Sequence, residues 1–131
     1  MKKIIIASGP VIVENNKVLL DQQGEDNFWK FCGGKIRENE DLKQTAIRRS
    51  KEELEIDIEI INDNPFIMYV SKKDGVEEID VILVHWLAKR KGEPKIGEDV
   101  KRVDWLDVNN LPDSIGPNVK PVLKHFGFIE E

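Results

Sequence analysis

The sequence predicts an α/β/α sandwich on a mixed β-sheet, and three stretches carry that expectation. Residues 33–58, GGKIRENEDLKQTAIRRSKEELEIDI, pass from two glycines into a long charged segment with helical spacing. Residues 79–88 are apolar on both alternating rows, with Val81, Leu83 and Leu87 on one side and Ile82, Val84 and Trp86 on the other. A strand buried on both faces needs a layer above and a layer below the sheet. Residues 119–126 read as a closing helix ended by Gly127, with Pro121 tolerated in its first turn.

Composition narrows the class. A chain of 131 residues suits one domain, 1–131, with a core of moderate size. With 40% apolar and 34% charged residues, the chain has no disordered or low-complexity character. Its formal net charge of −5 argues against a nucleic-acid polymer as partner, while a small phosphorylated ligand remains compatible if a metal bridges it. The single cysteine, Cys32, excludes an internal disulfide and suits a reducing compartment. The apolar run in residues 1–7 is too short for a signal peptide and stops at Ser8-Gly9-Pro10, so it reads as a strand. With no stretch long enough to span a membrane, the expectation is a soluble, cytoplasmic protein.

In chain order, Val11-Ile12-Val13 and Val18-Leu19-Leu20 flank Asn15-Asn16, a pair that tolerates left-handed backbone, which predicts a hairpin. Asp21-Gln22-Gln23 and a polar turn follow, and then Trp29 and Phe31 alternate with Lys30 into Cys32 and the glycines. A buried, inert thiol is the reading for Cys32, because no His or Asn is spaced to serve as a nucleophile's partner. On the helix, Asp41, Thr45, Arg48, Arg49 and Glu52 share one face, expected to meet water and ions, and Ile47, Ser50 and Leu54 share the packing face. Strands are expected at 56–61 and 66–70, with a turn at Lys73-Asp74-Gly75. His85, inside the doubly apolar strand, reads as a hydrogen-bonded structural histidine. Residues 89–101 form a polar loop of the kind that closes over a site, and Val103-Asp104-Trp105-Leu106 follows.

Gly34, Glu40, Arg48, Glu52, Glu53 and Ile56 stand at the spacing of the Nudix box, and the chain resembles the Nudix hydrolase family, MutT-like, on those six positions. Three positions depart from the pattern: Arg49 replaces an acidic residue, Ser50 an apolar one and Glu55 a glycine. The resemblance implies Mg²⁺-dependent (or Mn²⁺-dependent) hydrolysis of a nucleoside diphosphate linked to another group, with a small-molecule nucleotide as substrate. It implies Glu52 and Glu53 as catalytic metal ligands, the Gly33 carbonyl beside them, and Glu98 or Asp99 as a further ligand. Glu40 and Arg48 are implied as the ion pair that fixes loop against helix. The missing acidic residue is usually a metal ligand in the family and has been assigned as its general base, which leaves that role unassigned. On a helical wheel Arg49 projects between Glu52 and Glu53, where a guanidinium competes with a divalent cation. The rival expectation is therefore a Nudix-fold module that binds a nucleotide or a protein without hydrolysing it. Finally, Asn118 ahead of Pro121-Val122 resembles the base-reading Asn of MutT-type enzymes, and it also stands where the closing helix needs an N-cap.

Overall fold

A computed structural model describes residues 2–130, so Met1 of the expected first strand lies outside the described residues. The fold is built around the doubly apolar strand. β1 (Lys2–Val11) runs parallel to β7 (Glu77–Lys91), in register from Lys2↔Glu78 to Val11↔Leu87. The other edge of β7 is shared by two antiparallel strands, β6 (Phe66–Asp74) and β5 (Asp57–Ile60). The short β4 (Gly34–Lys35) pairs with β1 at Ser8 and Ala7 and completes a mixed five-stranded sheet. A second, antiparallel sheet holds β2 (Val13–Glu14), β3 (Lys17–Gln23) and β8 (Val100–Asp107) in the order β2-β3-β8. Asn15 and Asn16 turn the β2–β3 hairpin with φ of 51° and 62°, the left-handed pair that suits strand twist.

Two helices cover opposite sides, which is the sandwich expected. Ala46 and Leu54 of α1 (Leu42–Leu54) pack with Ile56, Val84 and Trp86. Val119, Val122 and Leu123 of α2 (Val119–His125) pack with Val11, Val18, Leu20 and Phe31. Asp41 and Gln44 form a capping box at the start of α1. The buried Ser8 joins that end to the sheet: its hydroxyl donates to Leu42 O at 2.6 Å and accepts from Trp86 Nε1 at 3.0 Å. Among the described residues no helix is long and apolar enough to cross a membrane.

Four local expectations need correction. β1 does not stop at Ser8-Gly9-Pro10 but continues to Val11, and Pro10 sits beyond the last residue that β4 pairs. The polar loop is shorter than expected, because β7 runs to Lys91 and β8 begins at Val100. Thr45 of α1 is buried while Ile47 is 43% exposed. The helix is rotated so that Thr45 can donate its hydroxyl to Glu40 Oε1 at 3.0 Å, and Ile47 is left at the edge of the packed face.

Candidate active site

The side chains of α1 build the site. Arg48 grips Glu40 with two donors, Nε to Oε2 at 2.6 Å and Nη2 to Oε1 at 3.0 Å. The same guanidinium reaches Glu52 Oε1 at 2.9 Å and Lys35 O at 3.0 Å, so residues 35–40 are fixed against the helix. Arg48 holds the Glu40 carboxyl down to about 2. Arg49 stands where the helical wheel put it: Nη1 donates to Glu52 Oε1 at 2.8 Å and Nη2 to Glu53 Oε1 at 2.5 Å. Gly34 gives this side chain room, since a Cβ there would lie 2.5 Å from Arg49 Nε. The helix ends at Glu55 in left-handed backbone, φ 55°, where the box has glycine.

Glu53 is fully buried. Its Oε1 accepts from Gln23 Nε2 at 2.7 Å as well as from Arg49, and its Oε2 accepts the Gly33 N–H at 3.1 Å. Facing it is Asp21 of β3, 1% exposed, which the sequence reading left inside a polar stretch. The signal was the strand's alternation, which sets Asp21 in the same row as the core residue Leu19. Burial, reinforced by the Glu53 charge, pushes the Asp21 carboxyl up to about 7. Asp21 Oδ2 and Arg49 Nε are both buried without a hydrogen-bond partner among the described residues. Cys32 is buried as expected, and burial followed by the nearby Glu53 charge pushes its thiol well above the ordinary range.

The chemistry of this set suits a hard divalent cation, but its arrangement does not. Both Glu53 oxygens accept hydrogen bonds, and Glu52 Oε1 is shared by two guanidinium groups. Gly33 meets Glu53 through its N–H. Glu98 is exposed, and its backbone N–H donates to Glu52 O at 2.8 Å. Lys95 and Gly97 do the same for Leu54 O and Glu53 O, so this loop caps the end of α1. A Cβ at Gly97 would lie 2.2 Å from Glu52 O, which is why glycine stands there. Among the described residues, the acid or thiol ligand atoms gathered within 4.8 Å of one another are those of Asp21, Cys32 and Glu53, not of Glu52, Glu53 and Glu98. With Arg49 in this position the Glu52 and Glu53 carboxylates hold a guanidinium between them.

Beside the cluster lies a cavity of about 390 Å³. Phe28, Phe31, Val70, Val81 and Leu83 give it apolar walls, and Lys30 and Lys72 bring positive charge. Gly33 and Gly34 line the end next to Glu53, and His85 and Asn118 supply polar groups elsewhere in its wall. His85 is 4% exposed and hydrogen-bonded as expected, to Phe66 O at 3.2 Å, and burial lowers its pKa to about 4. Asn118 occupies the N-cap position of α2 but makes no side-chain cap, which corrects that alternative. Its amide turns instead to His85, with Nδ2 2.9 Å from Nε2.

The NUDIX domain family model matches residues 5–126. The chain belongs to the Nudix family. Among its Nudix relatives, it is 29% identical to the 8-oxo-dGTP diphosphatase of Escherichia coli K12 over 129 residues, 94% of this chain and 95% of that protein. It is 28% identical to the mRNA-decapping enzyme subunit 2 of Saccharomyces cerevisiae over 114 residues, 84% of this chain, and spans only 11% of that protein's length. The crystal structure of a MutT NUDIX hydrolase from Burkholderia pseudomallei superposes with a TM-score of 0.74 at 22% identity, covering 93% of this chain and 97% of that one. That likeness is one of fold, and it makes this Nudix domain MutT-like in architecture.

Proposed function

We propose that the chain is a Nudix-type hydrolase that splits a phosphoanhydride bond in a nucleoside diphosphate linked to another group, with modified nucleoside triphosphates among its substrates. The observation that carries this reading is that Gly33, whose N–H donates to the buried Glu53, also lines the cavity. Apolar and aromatic walls suit a base, Asn118 offers polar contacts to a base edge, and Gly33-Gly34 brings the other end beside Glu53. Lys30, which is paired with Asp26, and Lys72 are the cations of the cavity wall available to meet phosphate charge. In this reading Glu52 and Glu53 are the catalytic carboxylates and Glu40–Arg48 the pair that holds them. The family implies Mg²⁺ or Mn²⁺ at Glu52 and Glu53, with Gly33 and Glu98 as the further ligands, and Arg49 makes wild-type binding of that ion weak. The net charge of −5 favours a small nucleotide over a polymer.

A second reading has its own observation. Arg49 bridging Glu52 and Glu53 favours a module that binds nucleotide without turnover. A panel of nucleoside triphosphates and diphosphate conjugates, incubated with Mg²⁺ and with Mn²⁺ and read for released phosphate and pyrophosphate, separates the two. Turnover above a protein-free control supports the hydrolase. Saturable nucleotide binding with no product supports the binder.

A further inference from the structure

The pairing of His85 with Asn118 has a direction. Phe66 O can only accept, so the hydrogen on His85 sits on Nδ1, and Nε2 of the neutral ring is left as an acceptor. The group that faces Nε2 at 2.9 Å must donate, which makes it the amide nitrogen of Asn118 and not its oxygen. The ring cannot readily turn to change this, being held edge-on to Phe31 at a centroid distance of 5.6 Å and tilted against Phe66 at 6.1 Å. Asn118 Oδ1 then lies over Gly116, where a Cβ would come within 2.9 Å of it, and both residues line the cavity. No second partner for the Asn118 side chain is found among the described residues, so Oδ1 and the remaining N–H are free for a ligand.

An unconstrained amide can flip and present either order of donor and acceptor to a base. We infer that His85 is a specificity-determining positioning residue: by locking the Asn118 amide in one orientation, it makes the cavity distinguish 6-oxopurine from 6-aminopurine nucleotides. In one placement the two purines offer opposite edges, N1–H and O6 in the first and N1 and N6–H in the second. An amide of fixed order matches one and opposes the other. This inference rests on the reading of the cavity as a base site.

The test is equilibrium binding of GMP and AMP to the full chain by calorimetry, with no turnover needed. Wild type should separate the two by about tenfold to a hundredfold, the usual value of a paired base edge. His85→Leu, which removes the acceptor, should bring the ratio to within about threefold by strengthening the weaker ligand. His85→Gln keeps an acceptor near the Nε2 position and should restore the ratio. For whichever nucleotide is hydrolysed, KM should move and kcat should not. Nitrogen NMR of the wild-type imidazole, which needs no variant to fold, should show the Nδ1–H tautomer; the Nε2–H tautomer would overturn the inference. So would a GMP-to-AMP ratio unchanged in His85→Leu while Asn118→Ala weakens both ligands, an outcome that leaves the base site standing. Binding of neither nucleotide, or binding indifferent to Asn118→Ala, would instead remove the base site itself.

Discussion

Asp21 makes the stability of this protein depend on pH in a direction opposite to that of an ordinary paired carboxylate. The group ionises near 3.8 in an open chain and near 7 in the fold, because burial and the Glu53 charge oppose its anion. The folded state therefore holds this proton more tightly than the unfolded state. Its stabilising contribution is complete below pH 3.8, is lost as pH rises to 7, and is absent above. The gap corresponds to at most about 4 kcal/mol, or roughly 10 °C in Tm for a domain of this size. Asp21→Asn keeps the shape, removes the charge and offers Glu53 a donor. The assay is calorimetric Tm for both proteins from pH 5 to pH 8 in the presence of chelator, where groups common to both cancel in the difference. The variant should gain on wild type as pH rises to about 7, with the gain levelling off at several degrees by pH 8. A difference that stays constant across the range would refute the account of Asp21 as a carboxyl strained by burial.

Three further outcomes follow from the same geometry. Glu55→Gly should stabilise by about 1 kcal/mol, the usual cost of left-handed backbone at a residue with a Cβ, and denaturant unfolding measures it. Gly97→Ala should destabilise by about 1–3 kcal/mol, because its methyl would press on Glu52 O and displace the loop that caps α1, seen as faster amide exchange at residues 95–98. Glu53→Gln should weaken Mn²⁺ binding relative to wild type in a paramagnetic titration, and equal binding by both would remove Glu53 as a ligand.

What the sequence discloses is what local geometry decides. Asn15-Asn16 between apolar triplets has one economical solution, a tight hairpin, and the doubly apolar Ile79–Ala88 stretch requires cover on both faces. The position of Arg49 between Glu52 and Glu53 follows from 100° per residue alone. What stayed hidden depends on partners far away in the chain. Asp21 and Gln23 look like a polar strand end until β3 is set against α1, when they become the wall of the carboxylate cluster. Asn118 has a cap's sequence position, yet its amide is claimed by His85, 33 residues earlier. Thr45 and Ile47 exchanged their expected environments because a buried hydroxyl with a Glu40 partner fits the packed face, and no helical wheel knows which neighbours will face it. The loop within residues 89–101 reads as a polar segment of the kind that closes over a site, and only its backbone donors, aimed at the last carbonyls of α1, show that it caps the helix.

The account turns on Arg49 standing where a cation would otherwise sit, and Arg49→Glu tests that directly. Without metal the variant gathers unpaired carboxylates around the buried Glu53 and should melt lower than wild type, since breaking a buried pair costs about 3–5 kcal/mol. The measurement is the rate of pyrophosphate release from the best nucleotide of the panel, wild type against Arg49→Glu, each titrated with Mn²⁺ and Mg²⁺. The account predicts a variant faster by about a hundredfold or more, the scale on which a main catalytic group acts, saturating at lower metal concentration and recovering its lost Tm as metal binds. A wild type that is already fast, with Arg49→Glu no faster and no tighter for metal, would contradict it.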